Sequence, residues 1–268
     1  MLSTNEKHMQ PKCIYGNTYA IDKIKLTNGG AGPTRIIKYI IENYNKTQAE
    51  LCVEWYQNIS NKGLQLIEEN FADLGLLYEP NELKIAENKG TIINHGTVFK
   101  DYFIIIGPSD NRAGLLETDT PYIAFEKIAK RGDSESGYIF LSRDDLSATN
   151  VMERSIWEKS DLSPYESSWY YKDNVFPGDA LVKADEMGLY SLSDMSTWLI
   201  NKNKINNSKV YIIGGEELVN NCYAITGRNP SECCLDLIRY MKSKSCQDLI
   251  SKFGEDEYDR HLFQSVIH

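Results

Sequence analysis

Residues 138–159, YIFLSRDDLSATNVMERSIWEK, pass from an apolar run into Ser, Arg and Asp and then into a helical pattern. The spacing predicts a short strand from Tyr138 to Leu141, a polar turn, and a helix with Val151, Met152, Ile156 and Trp157 on one face. The same design stands earlier, in residues 21–45, IDKIKLTNGGAGPTRIIKYIIENYN. There Ile24 and Leu26 alternate as in a strand, a Gly-rich turn follows, and Ile36, Ile37, Ile40, Ile41 and Tyr44 recur at helical spacing. Two strand–turn–helix segments decide the fold class, because open α/β sheets take ligands where a helix begins beside the carboxyl end of a strand.

The pieces between and after them continue the alternation. LCVEWY, ADLGLLYEP, DYFIIIGPSD, KVYIIGG and NNCYAITG read as strands, the second ending at Pro80. LQLIEEN, PYIAFEKIAK, ALVKADEMG, SDMSTWLINKN and CCLDLIRYMKSKSCQDLISKF carry helical periodicity. Strands and helices in turn imply an α/β protein with a largely parallel sheet. At 268 residues the chain is long for one core, so two lobes are expected, with hinges near 105 and 215. The expected boundaries are 12–105 for the first part of lobe 1, 106–215 for lobe 2, and 216–268 for the return to lobe 1.

Charge and cysteine content narrow the function. A net charge of −9 argues against nucleic acid, whose phosphates need clustered Lys and Arg. A small anion remains open, since one local Arg or a helix dipole outweighs a screened distant charge. No apolar run approaches the length that spans a bilayer, so no membrane insertion is expected. The start MLSTNEKHMQPKC lacks the pattern of a secretory signal, which points to a cytoplasmic protein, or an extracellular or periplasmic one if a leader was removed. Cys13, Cys52, Cys222, Cys233, Cys234 and Cys246 lack the spacing of a zinc site or disulfide framework. No metal cation and no cofactor is expected, and a monomer is the default.

The two polar turns are the candidate site. In TNGGAGPT, Gly29, Gly30 and Gly32 let backbone N–H groups converge, while Pro33 and Thr34 suit the first turn of the following helix. SRDDLSATN adds a fixed positive charge at Arg143, with Ser142, Ser147 and Thr149 as hydroxyl donors and Ser147 or Thr149 as a cap. Asp144 and Asp145 can pair with Arg143 or repel an anion. The first turn departs from the dinucleotide-binding fingerprint, and no P-loop ending is present.

Four ordered stretches then carry a resemblance. They are FADLGLLYEPNELKIAENKG (71–90), VFKDYFIIIGPSDNRAG (98–114), FLSRDDLSATNVMERSIW (140–157) and WYYKDNVFPGDALVKADEMGLYSLSDMSTWL (169–199). Together they resemble the tungstate-binding and molybdate-binding solute receptors of ABC transporters, and within them fungal relatives without an export signal. The resemblance implies a two-lobed type II periplasmic binding protein fold, each lobe a mixed, mostly parallel sheet flanked by helices, with an oxyanion of the tungstate or molybdate class in a cleft between lobes. It implies a non-enzymatic binder, with a transporter or protein partner left open. The implied ligand residues are Thr27, Asn28, Gly29, Gly30 and Ala31 in the first turn, and Ser142, Arg143, Ser147 and Thr149 in the second. Departures are TNGGAG for a Thr/Ser-rich turn, Asp144 and Ala148 for glycines, and Met195 for an arginine.

Alternatives stay open. Trp55, Tyr56, Trp169, Tyr170 and Tyr171 could line a cleft for an organic anion or other small metabolite, or be core. A protein-interaction module could keep the fold without the ligand. His95 reads as a loop or core histidine, since no nucleophile and base stand out for an enzyme. Arg131-Gly132-Asp133 reads as a coincidental loop.

Overall fold

The computed structural model describes residues 9–48, 50–58 and 60–267. In chain order the elements are β1 (Cys13–Gly16), β2 (Asp22–Asn28), α1 (Ile36–Thr47), β3 (Leu51–Gln57), α2 (Ser60–Glu68), β4 (Leu74–Leu77), α3 (Pro80–Asn88), β5 (Ile93–Pro108), α4 (Pro121–Ser134) and β6 (Phe140–Ser142). There follow α5 (Ala148–Lys159), β7 (Tyr170–Lys172), α6 (Pro177–Met187), β8 (Tyr190–Asp194), α7 (Met195–Asn201), β9 (Ser208–Ile213), β10 (Val219–Thr226), α8 (Glu232–Met241), α9 (Lys244–Lys252) and α10 (Glu255–Tyr258). Among the described residues no helix is long and apolar enough to cross a membrane.

Two compact units share the chain. One takes the residues up to Lys100 and those from Asn221 onward, and the other is Asp101–Asn220. The sequence reading puts the hinges near 105 and 215. In the first unit β2 pairs in parallel with β3 and β4, while β1 and β10 add antiparallel to β3 and β4. The second unit repeats the scheme: β6 pairs in parallel with β7 and β8, and β5 runs antiparallel to both β8 and β9. Each sheet is therefore parallel at its centre and antiparallel at a border.

Residue patterns explain the elements. In α1 the buried residues are Ile36, Ile37, Ile40, Ile41 and Tyr44, the stripe that the helical spacing predicts. Strand β4 has four consecutive buried residues, as a strand covered on both faces requires. It stops at Leu77, and Pro80 opens α3 instead of ending the strand, because proline lacks the N–H that a first helical turn leaves unused. The long helical pattern near the C-terminus divides into α8 and α9, where Ser243 caps α9 by accepting a hydrogen bond from the Cys246 amide at 3.3 Å.

Two expectations are corrected. The buried face of α5 is Thr149, Asn150, Glu153, Ile156 and Trp157, and Val151 lies exposed on the other side. Arg131-Gly132-Asp133 belongs to α4, not to a loop. Gly132 lies under the Trp169 ring, where an added Cβ would come within 2.4 Å of ring carbons, and Asp133 Oδ1 accepts the Trp169 indole N–H at 2.8 Å.

A close approach fixes the first polar turn. An added Cβ on Gly32 would lie 1.8 Å from Trp55 Cζ2, whereas nothing lies within 4 Å of one on Gly30. Gly32→Ala should therefore lower the stability by about 1–3 kcal/mol, the usual cost of overpacking, and Gly30→Ala should stay within about 0.5 kcal/mol of the parent. Urea unfolding of the two variants checks the contrast.

Candidate functional site

Strand β6 delivers Ser142 and Arg143 to the second turn. Ser142 is fully buried, and its hydroxyl donates to Glu153 Oε2 at 2.8 Å while accepting from the Asp144 amide at 3.2 Å and Asn150 Nδ2 at 3.3 Å. Its proton is thus directed at Glu153. Arg143 is 6% exposed. Its Nε donates to the Val175 carbonyl at 3.1 Å, and one terminal nitrogen pairs with Asp145 Oδ2. Asp145 Oδ1 also accepts from the Ser147 amide at 3.0 Å, so one carboxylate holds the guanidinium and shapes the turn.

The turn reaches α5 through two left-handed residues, Asp144 at φ 43° and Leu146 at φ 59°. Aspartate tolerates this region, but leucine does so only under constraint. The constraint is Asn150, whose Oδ1 accepts from the Leu146 amide at 3.2 Å. Ser147 is the cap of α5 and accepts from the Asn150 amide at 3.5 Å. The amides of Ala148 and Thr149 donate to no group among the described residues, as first-turn amides commonly do.

Arg143 and Thr149 line a narrow crevice with Pro177, Leu181, Leu192 and Ser193. Among the described residues the hydroxyls of Thr149 and Ser193 have no hydrogen-bond partner, and the guanidinium makes no bonds beyond those to Val175 and Asp145. The second turn thus offers a positive charge, two helix-mouth amides and two hydroxyls within one unit. Chemically this is a donor set for an oxygen anion.

Burial governs the charges around it. Arg143 is pushed down from its ordinary value by burial, against the pull of Asp145 and Asp194, and a guanidinium stays charged under such a push. Glu153 is fully buried and pushed up to about 7 by that burial, although the hydrogen bonds donated by Tyr170, Ser142 and Trp157 oppose the rise. Asp101 is raised well above the usual carboxylate range by burial and by Asp194. Asp194 caps α7, accepting from the Thr197 amide and hydroxyl at 2.7 Å each and from the Ser196 hydroxyl at 2.6 Å. Ser196 also lies 2.9 Å from Asp101 Oδ2, and its single proton can serve only one carboxylate at a time. Met195, next to Asp194, is buried and brings no charge.

The first turn is built differently. Thr27 and Asn28 are fully buried at the end of β2. Asn28 is spent on structure: its Nδ2 donates to the Leu76 carbonyl at 2.7 Å, and its Oδ1 accepts from the Gly32 amide at 2.7 Å. Thr27 Oγ1 accepts from Asn58 Nδ2 at 3.4 Å. Helix α1 does not start directly at the glycines. A 3₁₀ turn, Gly32–Thr34, intervenes, followed by Arg35 at φ 70°. Thr34 donates to the Ala31 carbonyl at 2.5 Å and accepts from the Ile36 amide at 3.2 Å, so the first amide of α1 is engaged by a side chain. The amides of Gly30 and Ala31 donate to no group among the described residues, and Gly30 is exposed.

Residues with other readings fall as follows. Trp55, Tyr56, Trp169 and Tyr170 are core, each at most 7% exposed, and of the five aromatics only Tyr171 is half-buried. His95 lies in β5, where Nε2 is 2.8 Å from Thr226 Oγ1, and burial with nearby Lys242 lowers its pKa. All six cysteines are free. Among the described residues no group of three or more His, Cys, Asp or Glu could hold a metal ion. The sequence reading missed Ser193, Glu153, Asp101 and Asp194 as parts of one polar centre. One signal for Glu153 was available: it shares a helix face with Ile156 and Trp157, where an acid needs partners.

The family model described as "PBP superfamily domain" matches residues 17–253. A candidate ABC transporter anion-binding protein of Haloferax volcanii is 29% identical over 171 residues, which cover 60% of this chain and 48% of that protein. The chain thus spans about half the length of that relative. The tungstate-binding protein TupA of Peptoclostridium acidaminophilum is 27% identical over 217 residues, covering 76% of this chain and 72% of TupA. Among solved structures, the tungstate-binding protein TupA of Desulfovibrio alaskensis G20 superposes with a TM-score of 0.77 at 23% identity, over 91% of this chain and 98% of that one. The fold is that of type II periplasmic binding proteins.

The buried acid makes a pH prediction. Glu153 binds its proton more tightly folded, at about 7, than unfolded, so between its ordinary pKa and about 7 the folded state holds more protons. Its contribution therefore falls as pH rises through that window, by up to about 3 kcal/mol. Glu153→Gln should flatten this part of the profile, read as the difference between parent and variant in urea unfolding from pH 4.5 to 8.

Proposed function

Because the chain belongs to the PBP superfamily, we propose that it is a non-enzymatic solute-binding protein whose ligand presents an oxyanion to Arg143. The observation that carries this reading is the set of unused donors around one buried cation: the Ala148 and Thr149 amides and the Thr149 and Ser193 hydroxyls. A buried guanidinium binds an oxyanion with charge-assisted hydrogen bonds, and helix-mouth amides add to it without side-chain entropy. Ser147 shapes the cap, and Ser142 and Asn28 hold the two turns rather than meet the ligand.

Tungstate and molybdate are the first anions to try, by similarity to the TupA proteins. A transporter partner belongs to the same reading, supported by the description of the Haloferax relative. On this reading the chain works outside the cytoplasm, as periplasmic binding proteins do. No enzymatic step is part of it: the relatives are described as binding proteins.

Isothermal titration of the purified chain with each anion tests the site. Arg143→Ala should weaken the best-binding anion by one to two decades, the loss of a charge-assisted hydrogen bond of about 1.5–3 kcal/mol. Ser193→Ala should weaken it by about tenfold or less, as for a neutral donor. An affinity that Arg143→Ala leaves unchanged would put the ligand elsewhere.

A further inference from the structure

We infer that Glu153 is a positioning residue of the Arg143 site and that its carboxyl takes up a proton when the oxyanion binds, so that anion affinity falls as the pH rises. The inference rests on the reading that Arg143 holds the oxyanion. Glu153 lies one helical turn beyond Thr149 on the buried face of α5, a spacing that brings two side chains within about 5–6 Å at Cβ. It also holds Ser142, the residue before Arg143, whose hydroxyl donates to Oε2 at 2.8 Å. Both flanks of the donor set, the helix mouth and the strand end, therefore run to this one carboxyl.

The first support is charge. Glu153 is 2% exposed, so water screens it little. An anion at Arg143 adds negative charge beside it, which disfavours the ionised carboxyl and favours the protonated one. By reciprocity, a proton on Glu153 strengthens anion binding by the same factor. The groups around it do not titrate in its place. Tyr170 of β7 and Tyr165, in the loop before that strand, face the carboxyl, and both phenols are pushed up by burial. From the other packed elements, β8 brings Tyr190, also pushed up by burial, and α4 brings the Phe125 ring against Trp157. On α5 itself Arg154 lies over the Tyr165 ring at 4.9 Å, and beyond Ser142 the Arg143 charge is paired with Asp145.

The second support is the hydrogen-bond count. Ionised Glu153 accepts from Ser142 at Oε2 and from Trp157 and Tyr170 at Oε1. An added proton needs an acceptor, and the Trp157 N–H can only donate. The Ser142 oxygen already accepts from the Asp144 amide and from Asn150 Nδ2, which fills both lone pairs. Tyr170 is the hydroxyl left to turn and accept. The Ser142 bond, and with it the exit of the chain toward Arg143, then holds in both protonation states. Glu153 titrates at about 7 in the free chain, and the bound anion moves it higher. Affinity is therefore level below about 7 and falls above it, by at most about tenfold per pH unit, until the bound-state value is passed.

The test is calorimetric titration of the full chain with sulfate from about pH 5.5 to 9 and with tungstate from about pH 7 to 9, ranges in which each anion keeps its charge. Affinity for whichever anion binds should fall by about tenfold toward the alkaline end. Near pH 8, buffers of different ionisation enthalpy should reveal uptake of a fraction of a proton. Glu153→Gln, neutral and of the same size, should match the parent at low pH, exceed it at high pH and lose the proton uptake. A merely structural Glu153 would instead make Glu153→Gln weaker by one factor at every pH, and that result would overturn the inference. Tyr170→Phe, which removes a donor to the ionised carboxyl, should move the fall to higher pH. Each variant is first checked for a parent-like unfolding transition, and the pH profile and proton uptake of the unaltered chain decide if one fails it. Parent affinity that changes by less than about twofold over the range, with Arg143→Ala still weakening it, would overturn the inference and leave the Arg143 site standing. So would a fall that persists in Glu153→Gln and disappears in Asp101→Asn, because Asp101 is the other raised carboxyl of this unit. Binding that Arg143→Ala does not weaken, or no binding of either anion, would overturn the site and the inference together.

Discussion

The buried carboxyl of Glu153 is the interaction on which the rest of the Arg143 turn depends. Three donors from three elements converge on it: Ser142 at the end of β6, Trp157 one turn along α5, and Tyr170 in β7. An acid so far from water must be neutral or fully hydrogen-bonded, and here burial raises its pKa while the donors oppose the rise. The geometry that satisfies this acid also ties the strand end to the helix. Ser142 cannot shift without losing Glu153, so the direction in which the chain leaves β6 toward Arg143 is set by a residue eleven positions further on.

Given that anchor, the pairing of Arg143 with Asp145 follows from desolvation. An unpaired buried guanidinium is costly, and the nearest carboxylate in the turn supplies the partner. The same carboxylate orders the backbone by accepting from Ser147, so it cannot be removed without loosening the mouth of α5. On the proposed reading a bound oxyanion shares the guanidinium with Asp145 instead of replacing it, which limits the charge that the site can add and gives the uncharged donors, Thr149, Ser193 and the two helix-mouth amides, the larger part in affinity.

The sequence made the scaffold legible and the chemistry only partly so. Alternating Ile24 and Leu26 and the isoleucine stripe of α1 are direct consequences of periods of two and 3.6 residues, and they appear in the structure as read. Arg143, Ser147 and Thr149 stand together on one turn because they are neighbours in the chain. Ser193, Asp194 and Asp101 could not be found in this way, since strand pairing brings β8 and β5 beside each other from distant segments. Val151 misled the helix face because Asn150 and Glu153, polar by type, turn inward to serve Leu146 and Ser142.

The two polar turns are built by opposite means. In the first, Asn28 binds both β4 and the Gly32 amide, and Thr34 closes the following turn, so side chains are consumed in shaping the loop and backbone amides, those of Gly30 and Ala31 among them, remain to donate. Gly32 has to be a glycine because Trp55 occupies the space of its side chain, and this brings the loop down onto the sheet. In the second turn a charge is kept, at the cost of a buried counter-ion and of a leucine in the left-handed region. Backbone amides donate to any oxygen of suitable geometry, whereas a single cation with its own carboxylate discriminates by charge, so of the two turns only the Arg143 turn is built to select an anion by its charge.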